Sequence, residues 1–184
     1  MLHMTLDFIN SIKQKYDLKY IQLRDTSTFT CKINKKDSKT NMCDLYMLTR
    51  GQTWYGKYGF IPFNPDRNNK SIDIDGLVKY KLNQQLVDTI KIKYTNLKKY
   101  LLTASKKLNI TDSFSEKSID KIIEIYNDKS IKEFFSYFMK KYDSTCHIFN
   151  EIYLDFMKDV GMQNLHSQVY FLPLVDISHK IYFD

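Results

Sequence analysis

From Leu77 to Gly161 the apolar side chains recur at three- and four-residue steps with few interruptions, a spacing that predicts a helical bundle for most of the chain. The segments fall at 83–104, with a start as early as Leu77 allowed, then 116–126, 130–142 and 144–160, and Gly161 closes the last. Ala104 is the only alanine, so these helices must draw their stability from packing rather than intrinsic propensity. Ile, Leu, Tyr and Phe supply the apolar content, which predicts a large-residue, aromatic core.

The first 75 residues read differently. Leu6, Phe8, Ile9, Ile12 and Tyr16 predict a short amphipathic helix over 6–16, followed by a strand at 20–23. Phe29, Cys31 and Ile33 alternate as a second strand before a polar loop at 34–41. A helix over 44–58 would place Leu45, Leu48 and Tyr55 inward, although Gly51 and Gly56 would each cost it about 1 kcal/mol relative to alanine. Gly59 serves as its stop, Phe60–Phe63 as an edge strand that tolerates Pro62, and Ile72 with Ile74 as one more. Val169–Leu172 is a strand near the C-terminus, and Ile181–Phe183 is apolar enough to dock. The expected class is α+β: a module over 1–75 containing a small mixed sheet, then a helical bundle over 76–184 that shares its core.

At 184 residues the chain is long enough for a real core, and no apolar run approaches the roughly 18 to 20 residues of a spanning helix. Cys31, Cys43 and Cys146 are an odd number at irregular spacing, which predicts reduced thiols and a cytoplasmic or equivalent compartment. Heavy use of Lys, Asn, Ile and Tyr reflects an AT-rich coding sequence.

The net charge of +7 has one source. Between Leu77 and Lys107 lie eight lysines and a single acid, Asp88, while the rest of the chain balances. On one continuous helix, Leu82, Leu86, Ile90, Tyr94, Leu97 and Leu101 would form the buried face and Lys81, Lys91, Lys98, Lys99 and Lys106 the opposite one. Such a face is either a solvated surface or a seat for nucleic acid or an acidic protein.

Few catalytic patterns are present. His3, His147, His166 and His179 form no recurrent ligand spacing with the cysteines, so no metal is expected. Asp73 and Asp75 read as turn residues rather than as ligands. Cys146 and His147 are helix neighbours pointing about 100° apart, a poor nucleophile and base pair. No glycine-rich phosphate loop or nucleophile elbow occurs.

The segment Thr49-Arg50-Gly51-Gln52-Thr53-Trp54-Tyr55-Gly56-Lys57-Tyr58-Gly59-Phe60 holds the only tryptophan and runs helix, Tyr-x-x-x-Gly-Phe, strand. With the helix and strand before it, residues 5–64 resemble the C-terminal half of the GNAT acetyltransferases. The resemblance implies that Tyr55 protonates the departing coenzyme A thiolate, a role suited to a phenol protonated at neutral pH, and that Gly51 lies against the cofactor, acetyl-CoA. It also puts Gly59-Phe60 at the exit from helix to strand. Three departures stand beside it. The pyrophosphate loop would precede the first helix, where only a few residues lie; the family's asparagine seven residues before the tyrosine is Leu48; and 25–43 is an insertion. Without a transferase site, Trp54, Tyr55, Tyr58 and Phe60 form an aromatic core cluster. The same segment and the coding bias resemble proteins of large DNA viruses of the mimivirus kind.

The leading expectation is a non-enzymatic accessory or virion-associated protein, without cofactor, engaging a polyanionic or acidic partner through Lys81, Lys91, Lys98, Lys99 and Lys106. A GNAT-type transferase using Tyr55 and an outright nucleic-acid binder are the alternatives. An unpaired sheet edge would let a partner chain or a second copy add strands.

Overall fold

A computed structural model describes residues 2–33, 36–62, 64–65, 72–73, 75–111, 114–141, 145–166 and 168–174. The fold is α+β and rich in helix after residue 75, as the periodicity predicts. The order is α1 (Leu2–Ile12), β1 (Tyr20–Arg24), β2 (Thr28–Ile33), β3 (Lys36–Asn41), α2 (Met42–Arg50), β4 (Asn64–Pro65) and β5 (Ile72–Asp73). Then follow α3 (Asp75–Thr89), α4 (Leu97–Lys107), α5 (Glu116–Tyr126), α6 (Ile131–Lys141), α7 (Thr145–Asp159) and β6 (Val169–Pro173).

The core is aromatic. Phe134, Phe135 and Phe138 of α6 are fully buried, and Phe135 meets α7 edge-on, at 5.6 Å from Phe149 and 5.3 Å from Phe156. Edge-to-face geometry sets positive ring edges against negative faces, which adds specificity to the area buried. Leu97, Leu101 and Ala104 of α4, Ile119 and Ile122 of α5, Val87 of α3, and Met47 and Leu48 of α2 complete this cluster. Leu48, the position of the transferase asparagine, is thus a core residue.

Elements from both ends of the chain interleave. β1 pairs antiparallel with β6, from Tyr20 opposite Pro173 to Arg24 opposite Val169, and Ile61 bridges Phe171 on the other side of β6. β2 pairs antiparallel with β3 and β4 with β5, so every pairing among the described residues is antiparallel rather than mixed. The expected strand at 60–63 is reduced to the bridge at Ile61. Phe63, Ile74 and Ile181–Phe183 lie outside the described residues.

Four expectations need correction. The loop placed at 34–41 contains a strand, β3, because pairing with β2 outweighs the poor strand propensity of Lys, Asp, Ser and Asn. The helix placed over 44–58 ends at Arg50: Gly51 turns left-handed at φ 70°, its N–H donating to Met47 O at 2.9 Å, and a separate 3-10 turn over Gly56–Tyr58 follows. The long helix over 83–104 is two helices, α3 and α4. Between them Ile92 N–H donates to Lys129 O at 3.0 Å, Lys93 N–H to Asn127 O at 3.0 Å, and Ile131 N–H to Ile90 O at 3.1 Å, so tertiary partners replace helical ones. Tyr94, assigned to the buried face, is 76% exposed in consequence. Finally, Cys31 and Cys146 are bonded to each other, and Cys43 alone is a free, buried thiol. Across 115 residues of separation no spacing could announce that pair.

Candidate functional site

A concavity lies between α2 and α6, which pack along one another. Two adjoining hollows of about 250 and 640 Å³ share Thr49, Arg50, Ser136 and Lys140, and Tyr46, Lys132 and Tyr137 extend the lining. Gly51 makes the geometry possible: its positive φ ends α2 at the rim, and an added Cβ would lie 3.2 Å from Lys132 Cδ. The Gly51 carbonyl is fixed by Gln84 Nε2 at 2.8 Å, and Ser136 Oγ donates to Thr49 O, tying the two walls together.

The groove is cationic. Lys132, Ser136 and Lys140 follow at i, i+4 and i+8 and share one face of α6, while Arg50 arrives from the last turn of α2. Lys132 pairs with Asp88, but among the described residues neither Arg50 nor Lys140 forms an ion pair. Glu133, the acid in the lining, accepts from Ser130 N–H at 2.7 Å while Glu133 N–H donates to Ser130 Oγ at 3.2 Å. This reciprocal cap holds the Glu133 carboxyl below the usual carboxylate range and engages its charge at the start of α6.

An aromatic strip starts beside the groove. The Arg50 guanidinium lies 5.2 Å from the Tyr46 ring centre; Tyr46 meets Trp54 edge-on at 5.2 Å, Trp54 meets Tyr58 at 6.1 Å, and Tyr58 meets His3 at 5.1 Å. Lys57 Nζ sits 3.4 Å from the Trp54 ring centre. Tyr46, Trp54 and Tyr58 are half-buried and Arg50 and Lys57 exposed, so part of each ring remains at the surface.

Tyr55 belongs to another environment. Its ring packs on Phe60 at 6.0 Å and Tyr170 at 6.5 Å, and burial, reinforced by the charge of Asp25, pushes its phenol up. Around it lies an acid-rich interior: Asp25 is 1% exposed, and Asp44 and Cys43 not at all. Asp25 Oδ1 accepts from Ser27, and Asp44 Oδ2 from Asn41 Nδ2 at 3.3 Å. Among the described residues, Asp25 Oδ2, Asp44 Oδ1, His166 Nδ1 and the Tyr170 hydroxyl have no hydrogen-bond partner. Burial raises Asp44, and burial together with Asp44 and Asp25 drives the Cys43 thiol far up, the reverse of what a nucleophilic thiolate requires. Among the described residues no group of three or more His, Cys, Asp or Glu is placed to hold a metal.

Gly51 and Tyr55 therefore do not face a common space: Gly51 meets Lys132 and Val87, Tyr55 meets Phe60 and Tyr170. The five lysines are likewise dispersed. Lys81 is exposed on α3, Lys91 half-buried in the extended link, and Lys98, Lys99 and Lys106 exposed on α4, where Lys98 pairs with Asp120 at 2.6 Å. Arg50 lay inside the segment singled out by its tryptophan, and the Lys-x-x-x-Ser-x-x-x-Lys spacing of α6 was readable. Their convergence was not, since it depends on how α2 crosses α6.

No family model, curated protein or solved structure matches this chain. Among the described residues no helix is long and apolar enough to cross a membrane.

Proposed function

We propose that this chain is a non-enzymatic binding protein that seats a polyanion, a single strand of nucleic acid, in the groove between α2 and α6. The observation that carries the reading is convergence: Arg50 and Lys140 reach one groove from two helices, and neither is paired with a carboxylate among the described residues. Cations without a carboxylate partner have the most to gain from phosphates. The strip of Tyr46, Trp54 and Tyr58 favours nucleic acid over an acidic polypeptide, because every base has a π-face to stack there and a run of carboxylates has none. The α4 lysines support the reading less, since Lys98 and Lys107 already pair with Asp120 and Glu151.

The test is fluorescence anisotropy with a labelled oligothymidylate across a salt series. The two unpaired groove cations, at about 0.7 per phosphate neutralised on a single strand, give an expected slope of log K against log salt of about −1.4. Arg50→Glu with Lys140→Glu should abolish binding. Equal displacement by polyglutamate would shift the reading to an acidic protein partner, and binding unaffected by salt or by both substitutions would refute it. A rise in Tm with millimolar coenzyme A would instead favour the acetyltransferase alternative acting through Tyr55.

A further inference from the structure

The β2–β3 hairpin is attached to the body of the protein in an unusual way. Where its side chains are described, only Cys31 and Thr40 are buried; Phe29, the largest, is 46% exposed. Among these described side chains, apolar burial therefore does little to hold the hairpin down. It lies along α7, whose Cys146, Asn150 and Tyr153 share one face at i, i+4 and i+7. Thr40 Oγ1 donates to Asn150 Oδ1 at 2.9 Å, and the Cys31–Cys146 bond, with Cα atoms 6.1 Å apart, fixes the hairpin to the first turn of the helix. The roots of the hairpin are chemically distinctive. Asp25 stands just before β2, and Cys43 and Asp44 just after β3; all three are buried, and Met42 N–H closes the base on Ser27 O at 3.0 Å.

We propose that Cys31–Cys146 is a thiol–disulfide exchange site, and that its reduction by a dithiol releases the β2–β3 hairpin from α7 and uncovers Cys43. A thiolate of the dithiol attacks Cys146 Sγ, on the more exposed of the two residues, since Cys146 is half-buried and Cys31 only 4% exposed. The S–S bond breaks, Cys31 Sγ leaves with the electron pair and takes up a proton, and a mixed disulfide remains on Cys146. The second thiol of the reagent attacks that bond, Cys146 leaves as the thiol, and the dithiol ends as its cyclic disulfide. Cys43 does not compete in the docked state: fully buried beside Asp44, it is held as the thiol, and a thiol does not attack. Once the bond is open, the described side chains of the hairpin keep little apolar burial, and two hydrogen bonds to α7 remain, Thr40 to Asn150 and the Asn41 backbone to Tyr153.

The experiment combines native-state alkylation with hydrogen exchange on the full chain, using dithiothreitol as the dithiol. Untreated protein should present no thiol to N-ethylmaleimide. After reduction all three cysteines should be labelled, and amide protection over 28–44 should fall at least tenfold while 131–141 keeps its protection. The double variant Cys31→Ser, Cys146→Ser should reproduce the reduced pattern without reductant. Labelling of Cys31 and Cys146 in untreated protein would overturn the proposal, as would a hairpin still protected and Cys43 still unlabelled after reduction. Loss of protection throughout, in reduced protein or in the variant, would also overturn it, because the bond would then staple the whole fold.

Discussion

Asp44 enters the interior in the first turn of α2, where the helix dipole favours an acid, yet it is fully buried with Oδ1 unpartnered among the described residues. Desolvation outweighs the hydrogen bond from Asn41 and raises its pKa above the ordinary carboxylate value. The native state thus holds this proton more tightly than the unfolded chain does, whose carboxyl titrates near 3.9. As pH rises from that value through the native one, the unfolded state binds fewer protons and stability falls. Asp44→Asn should therefore raise stability at neutral pH by about 1 kcal/mol or more and flatten that descent, as read by urea denaturation at stepped pH. A variant less stable than the parent at neutral pH would show that the charged form is favoured inside. In the sequence Asp44 reads only as the first residue of a helix, because the burial of that turn comes from tertiary packing that no local pattern announces. Tyr55, by contrast, was marked as a residue whose phenol stays protonated at neutral pH, and burial pushes it in that direction.

At the scale of elements, α6 carries both the aromatic core and one wall of the groove, and its start is set by the reciprocal Ser130–Glu133 cap. Ser130→Ala removes the side-chain acceptor for Glu133 N–H and should cost about 1 kcal/mol in thermal denaturation. It should also loosen Glu133, so that the groove loses some of its positive potential. An unchanged Tm would show that packing of Phe134, Phe135 and Phe138 alone fixes the helix start. The helices α5, α6 and α7 were legible because strong apolar periodicity and Gly161, at φ 80°, mark them locally. The break between α3 and α4 was not. Lysine, isoleucine and tyrosine over 90–94 fit a helix, and what interrupts it is hydrogen bonding to 127–131, a partner set only by the fold. The strand β3 was missed for the same reason: its polar residues pair with β2 without any pattern of their own.

Over the whole molecule, the first strand and the last described one meet in the β1–β6 pairing, and α2 is built into the aromatic core of the later helices. That interleaving creates the groove, since Arg50 and Lys140 lie on helices far apart in sequence. Charge is concentrated in sequence over 77–107, where eight of the lysines lie, but there the chain divides into two helices and several lysines pair with neighbouring acids. Concentration of charge along a sequence and convergence of charge in space are different properties, and an anion responds to the second. Trp54 is the sole tryptophan and lies in the aromatic strip next to Arg50, so its emission reports on this surface alone. Titration with oligothymidylate at low salt should quench that emission in the parent and leave it unchanged in the Arg50→Glu, Lys140→Glu variant, whereas a variant with Lys99→Glu and Lys106→Glu on α4 should retain most of the quench. No quench in the parent, or a quench abolished by the α4 substitutions and preserved without Arg50 and Lys140, would contradict binding in the groove between α2 and α6.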